Sequence, residues 1–333
     1  MKTKINVSLY LLATLMLLSS HLITDATAND LPTITDEDQI IFIPAITIDV
    51  HVPSSRNGPI VFIRSDNIWK VEVDGNNATQ LTFTSGYVEP AWARQGDRIA
   101  YVRQLLISGK DAWEVGIYNL ATAQSSVVVP AQLTGFVLIG NYYRYSNPRW
   151  SPDGRSLYYL ASDGRVSGDY IHKVNVQTGA RDQNFSALFA RRFDIAPLTG
   201  RILFTDFSNY PPVGYFLNLA NPDGSQKQVI VPLVEDVYFG TPRWSPDERG
   251  IAVIANGGRY GSGSIARFDS QGTFLGIFPQ QISAYSSAIL DWSSDGLYLI
   301  YDSLDSLYKL NILTATSTTF TSGSQPSCGP PTE

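Results

Sequence analysis

A single cysteine, Cys328, excludes any internal disulfide, so the fold has to rest on its core. Histidine is nearly as scarce, with only His21, His51 and His172. No two of them stand at metal-ligand spacing and there is no cysteine cluster, so no metal centre and no cofactor are expected. A Ser-His-Asp triad needs a histidine beside a positioned serine, and no Gly-x-Ser-x-Gly elbow occurs. Charged residues make up only 16% of the chain, and acids outnumber bases to a net −6. That balance speaks against nucleic acid or an anionic membrane as the main partner. Beyond the amino-terminal segment no stretch carries the 3.6-residue period of an amphipathic helix, which excludes a helical solenoid.

What the chain has instead is Gly, Pro and Tyr, with 44% hydrophobic residues. This composition suits many short strands joined by tight turns. Residues 1–28 read as a secretory signal peptide: Lys2 and Lys4, an apolar run over 5–22, then the small-residue site Ala26-Thr27-Ala28. The rival reading is an uncleaved anchor, although the run is near the short limit for spanning. The expected destination is the periplasm or the extracellular space, with no transmembrane segment after removal of the signal. Residues 29–45 form an extension whose Asp36, Glu37 and Asp38 read as a solvated acidic cluster. Its 39–43 run is a candidate ring-closing strand. Residues 322–333 are rich in Ser, Gly and Pro and are expected to be a disordered tail. Within that tail Cys328 is either a free thiol or a link between molecules.

Between these ends one phrase recurs. Pro148, Trp150, Ser151, Pro152, Asp153 and Gly154 lead into Leu157 and Tyr159; Pro242, Trp244, Ser245, Pro246 and Asp247 lead into Ile251 and Val253. Weaker copies centre on Trp92, Phe193 and Trp292, so the anchors are spaced by 58, 43, 51 and 48 residues. Periods of this length mark solenoids, propellers or arrays. Mechanically, each copy is a strand ending on an aromatic, a tight turn in which Ser, Pro and Gly each suit their place, and a returning strand. A second hairpin follows each time, turning near Gly75, Ala121, Gly179, Gly224, Gly272 and Thr314. Two hairpins per repeat predict an all-β, six-bladed propeller of four-stranded antiparallel blades over residues 46–321. One gap remains: six second hairpins but five anchor phrases. Residues 60–63 supply a strand for the first blade, and 46–52 are the candidate for its missing innermost strand.

The phrase Pro-x-Trp-Ser-Pro-Asp-Gly with its returning strand, and a later Leu81-Thr82, resembles the TolB-type propeller repeat. The copies cover roughly residues 59–322. In that family a six-bladed propeller follows a small α/β domain, is periplasmic and binds partner proteins of the cell envelope. The resemblance takes in the propeller part only. It implies an exported binding scaffold. The repeat also forms the gating propeller of some serine peptidases, which need an attached hydrolase domain.

Candidate site residues lie just ahead of the anchors. Tyr87, Tyr145 and Phe239 stand five residues before; Glu89, Asn147 and Thr241 three before; Arg149, Arg192, Arg243 and Asp291 one before. Where the chain enters the innermost strands these would form a rim around the channel, suited to a partner's loop or an anionic group. The aromatics would serve equally as packing between neighbouring blades. The expected function is therefore protein binding by a monomeric scaffold, with no catalytic residue assigned. Two alternatives stay open: a channel-centred hydrolase or lyase acting on a carbohydrate or lactone with Glu89 and Asp291, and a small-molecule or glycan sensor. His172 reads as a surface or edge histidine, His51 as neutral, and the Gly257–Gly263 stretch as a loop.

Overall fold

The anchor phrase folds the same way in three blades because its serine and aspartate satisfy the turn internally. Ser151 Oγ accepts the Ser156 N–H at 2.9 Å and donates to Asp153 Oδ1 at 2.5 Å, and Asp153 Oδ1 also accepts the Arg155 N–H at 3.0 Å. Gly154 sits at φ 67, the left-handed region its missing Cβ permits. Ser245 with Asp247, and Ser293 with Asp295, repeat the arrangement. In the fifth blade Glu248 stands in the glycine's place at φ 59. There its carboxylate accepts the N–H groups of Leu198 and Thr199 and the Thr199 hydroxyl, clamping the turn of the preceding blade.

The structure, a computed structural model, describes residues 57–133, 143–162, 169–186, 188–208, 214–260, 263–278, 282 and 288–331. The signal peptide, the extension with its 39–43 run, the 46–52 run and His51 lie outside the described residues. Among the described residues one short 3-10 helix, Gly258–Tyr260, is the only helix, and no helix is long and apolar enough to cross a membrane.

The first blade contains β1 (Ile60–Arg64), β2 (Asn67–Val71) and β3 (Thr79–Gln80). The second is β4 (Tyr87–Trp92), β5 (Arg98–Ile107), β6 (Lys110–Asn119) and β7 (Gln124–Val129). The third is β8 (Arg144–Trp150), β9 (Ser156–Ser162), β10 (Asp169–Asn175) and β11 (Leu188–Ala190). The fourth is β12 (Arg192–Ile195), β13 (Ile202–Ser208), β14 (Gly214–Ala220) and β15 (Gln228–Glu235). The fifth is β16 (Tyr238–Trp244), β17 (Gly250–Asn256), β18 (Ser264–Asp269) and β19 (Phe274–Phe278). The sixth is β20 (Leu290–Trp292), β21 (Tyr298–Ser303), β22 (Ser306–Asn311) and β23 (Ser317–Ser322). The chain ends in β24 (Ser324–Cys328), which pairs antiparallel with β1 and gives the first blade the order β24-β1-β2-β3. Around the channel β4, β8, β12, β16, β20 and β24 each touch the next, closing the ring.

The last strand corrects the expected disordered tail. Pro326, Ser327, Cys328, Gly329 and Pro330 repeat the spacing of Pro148, Arg149, Trp150, Ser151 and Pro152, with Cys328 in the aromatic's place. The sixth phrase thus stands at the carboxyl end, and the place beside β1 expected for 46–52 is held by β24. β24 also covers the edge of β1, which would otherwise be open to pairing.

Candidate functional site

Four of the innermost strands share a break in pairing. Pairing slips between Val88 and Ala91, Ser146 and Arg149, and Phe239 and Pro242, and β24 slips likewise against β1. Each slip adjoins a proline, which has no N–H to lose. Glu89, Asn147 and Gln325 sit there at φ 50, 53 and 54. Their freed backbone groups are met by the neighbouring blade. Gln325 Oε1 accepts the Glu89 N–H at 2.7 Å, the Glu89 carboxylate accepts the Asn147 N–H, and Asn147 Nδ2 donates to the Phe193 carbonyl at 2.9 Å.

Nearer the anchor turns a second set works the same way. Ser327 Oγ accepts the Trp92 N–H at 3.0 Å, Asp194 Oδ2 that of Trp244 at 2.9 Å, and Asp291 Oδ2 that of Cys328 at 2.8 Å. Three ion pairs stand beside these bonds: Arg149–Asp194 at 3.4 Å, Arg243–Asp291 at 3.6 Å, and Arg192–Glu89 at 3.3 Å between the fourth blade and the second. Of the expected site residues, Glu89, Asn147, Arg149, Arg192, Arg243 and Asp291 therefore meet in or beside the channel. Thr241 is buried and donates to the Ala288 carbonyl at 3.1 Å.

The three aromatics lie elsewhere. Tyr87, Tyr145 and Phe239 are 5%, 1% and 0% exposed and belong to the cores between successive blades, so they present no surface to a partner. His172 is also no surface residue. It lies half-buried on the interior strand β10, stacked on Tyr159 at 5.7 Å, and burial pushes its pKa down to about 4.

On the side of the anchor turns the channel opens into a depression of about 330 Å³. Its walls are Trp92, Trp150, Trp244 and Trp292, and its rim carries Pro152, Pro197, Pro246, Pro330 and Arg94. Arg149, Asp194 and Asp291 lie at its base. The indoles are held in place: Trp150 Nε1 donates to the Ala91 carbonyl at 2.9 Å, and the guanidiniums of Arg98 and Arg201 stack on Trp150 and Trp244 at 4.8 and 5.1 Å. Arg94 reaches from the second blade's turn to the Pro197 carbonyl in the fourth. Sequence reading missed Arg94, Asp194, Gln325 and Ser327. For the last two the signal was the Pro326-to-Pro330 spacing; for Asp194 it was its place directly after the worn anchor Phe193.

Burial pushes the Asp194 carboxyl up to about 7, against the opposing pull of Arg149 and the Trp244 N–H, and Asp291 moves up for the same first reason. In an unfolded chain Asp194 would titrate near 3.8. The folded state therefore holds its proton more tightly, and the stability this confers is lost as pH rises through 7. His172 acts in the opposite direction, growing as pH falls through its unfolded value of 6.5 and so offsetting part of the effect at the lower pH. The melting temperature is expected to be about 2 °C higher at pH 6.5 than at pH 8, from about 1 kcal/mol. Asp194→Asn should flatten that difference in a thermal scan at the two pH values; an undiminished slope in the variant would assign it elsewhere.

Closed blades around a polar channel define a six-bladed β-propeller. The ring is similar to TolB from Acinetobacter baumannii, with a TM-score of 0.63 at 16% identity over 84% of this chain and 69% of that one. It is also similar to an oligogalacturonate lyase from Vibrio parahaemolyticus, with a TM-score of 0.51 at 14% identity over 77% of this chain and 71% of that one. The tricorn protease gives a TM-score of 0.54 at 15% identity over 80% of this chain and 26% of that one. At these identities the likeness is one of fold. No family model and no curated protein sequence matches the chain.

Proposed function

We propose that this chain is an exported protein-binding propeller that receives an extended segment of a partner in the depression at the anchor-turn end of its channel. The observation that carries this reading is the depression itself, lined by four tryptophans and by prolines. Aromatic and proline walls suit an extended peptide, and a rigid preformed site lowers the ordering cost of binding. The carboxylates of the channel are tied into the ring itself. Glu89, Asp194 and Asp291 each accept a backbone N–H and face a guanidinium. Export rests on the 1–28 pattern, and a cell-envelope partner on the likeness to TolB.

The site so proposed lies at the anchor-turn end, and of the rim residues expected where the chain enters the innermost strands only Arg149 and Asp291 line it. Indole walls also favour a sugar ring, which keeps the glycan-sensor reading as the second choice. A photo-crosslinking residue in place of Ser294, which lines the depression, is expected to capture a discrete protein in envelope preparations. The same residue in place of exposed Lys110, at the far end of the second blade, should capture none. Equal capture from both positions, or capture from Lys110 alone, would contradict the proposal, and loss of the adduct on adding oligosaccharides would favour the glycan.

A further inference from the structure

We infer that the depression recognises a carboxylate, from an acidic side chain or a chain terminus of the incoming segment, and that Arg94 is the residue that binds it. The inference rests on the reading above and names the chemistry of the partner. Its basis is the charge arrangement at one end of the channel.

Two arginines and two aspartates line the depression. Arg149 is paired with Asp194, and Asp291 is paired with Arg243, which lies beneath the surface at 2% exposure. Three guanidiniums therefore stand against two carboxylates, and Arg94 carries the excess. It is exposed, and among the described residues it has no carboxylate partner. Its hydrogen bond goes to the neutral Pro197 carbonyl. The rest of the rim is Pro, Gly, Ser and Cys, none of which supplies a competing anion. The raised Asp194 carboxyl strengthens the same field, because it is partly protonated near neutral pH.

An entering carboxylate would replace the Pro197 carbonyl as acceptor. It would bring an opposite charge and a second acceptor oxygen to a donor that is already ionised, allowing a bidentate pair that one carbonyl cannot make. The position over the opening matters too. Arg94 reaches between turns of two blades that are not neighbours, so a segment passing into the depression passes its guanidinium.

The test uses the full chain and three pools of random hexapeptides built from uncharged residues. One pool has free carboxyl termini, one is amidated, and one is amidated with a single glutamate. Peptides retained after equilibrium dialysis are counted by mass spectrometry. At least tenfold greater retention of one acidic pool over the neutral amidated pool is expected, and the pool retained identifies whether the carboxylate is terminal or side-chain. Arg94→Gln should bring retention down to the neutral level with an unchanged melting temperature, while Arg155→Gln, at an exposed turn position outside the depression, should leave it intact. Equal retention of all three pools overturns the carboxylate inference and leaves peptide binding standing. Retention of no pool overturns it as well, with the crosslinking result then deciding on the depression separately. Selection that survives Arg94→Gln removes Arg94 from the role.

Discussion

Removal of residues 324–333 is expected to abolish the cooperative fold. The loss is larger than one strand's pairing with β1. Gln325 and Ser327 supply the acceptors for the Glu89 and Trp92 N–H groups in the second blade. In the other direction, Asp291 and Asp302 in the sixth blade accept the Cys328 and Gln325 N–H groups. Truncation leaves the Glu89 and Trp92 N–H groups without acceptors, at about 1–3 kcal/mol each where they stay buried, and takes one donor each from the Asp291 and Asp302 carboxylates, which keep the Trp292 and Ile289 N–H groups. It also opens β1 and uncovers apolar surface around Phe62, which is fully buried. The sum is comparable to the whole stability of a typical domain, about 5–15 kcal/mol. Circular dichroism melting of the truncated chain should show no sharp transition, or the chain should be recovered only as aggregate. A sharp transition within a few degrees of the full chain would show that the ring closes without β24.

Phe239→Ala is expected to cost about 3–5 kcal/mol, the usual range for deleting a buried phenylalanine. Phe239 is fully buried and packs edge-on against Tyr260 and Phe268 at 5.5 and 6.3 Å. Alanine there leaves a cavity between strands that the closed ring cannot collapse around. Urea unfolding should show a much lower midpoint with an unchanged slope. Partner capture by the folded fraction should be intact, because the side chain touches no exposed surface. A variant with native stability but lost capture would return Phe239 to a binding role.

These aromatics show where sequence reading stops. The repeat was legible because its turn residues are chosen by local backbone chemistry: Ser151, Asp153 and Gly154 satisfy one another within a few residues. Period, blade count and strand order follow from that. The direction of Tyr87, Tyr145 and Phe239 does not, since it depends on the slip placed by Pro90, Pro148 and Pro242 between them and the anchor. Such a slip changes which face a residue joins, and spacing alone does not reveal it. The polar positions fared differently. Glu89, Arg149, Arg243 and Asp291 come to the channel as their recurring place suggested, but each is bound to a neighbouring blade, which is a long-range pairing invisible in one sequence. The last phrase was hidden by composition. Pro326 to Pro330 reads as a flexible tail, and Cys328 carries no aromatic to mark it as an anchor.

The claim on which the rest depends is that residues 324–328 complete the ring and so build one wall of the depression. Amide hydrogen exchange of the full chain, resolved to peptides covering β24, tests it most directly. Protection of the Gln325, Ser327 and Cys328 amides comparable to that of β8 and β16, released only with global unfolding, is the expected result. Exchange of these amides at the rate of a free peptide, while β8 and β16 stay protected, would contradict it.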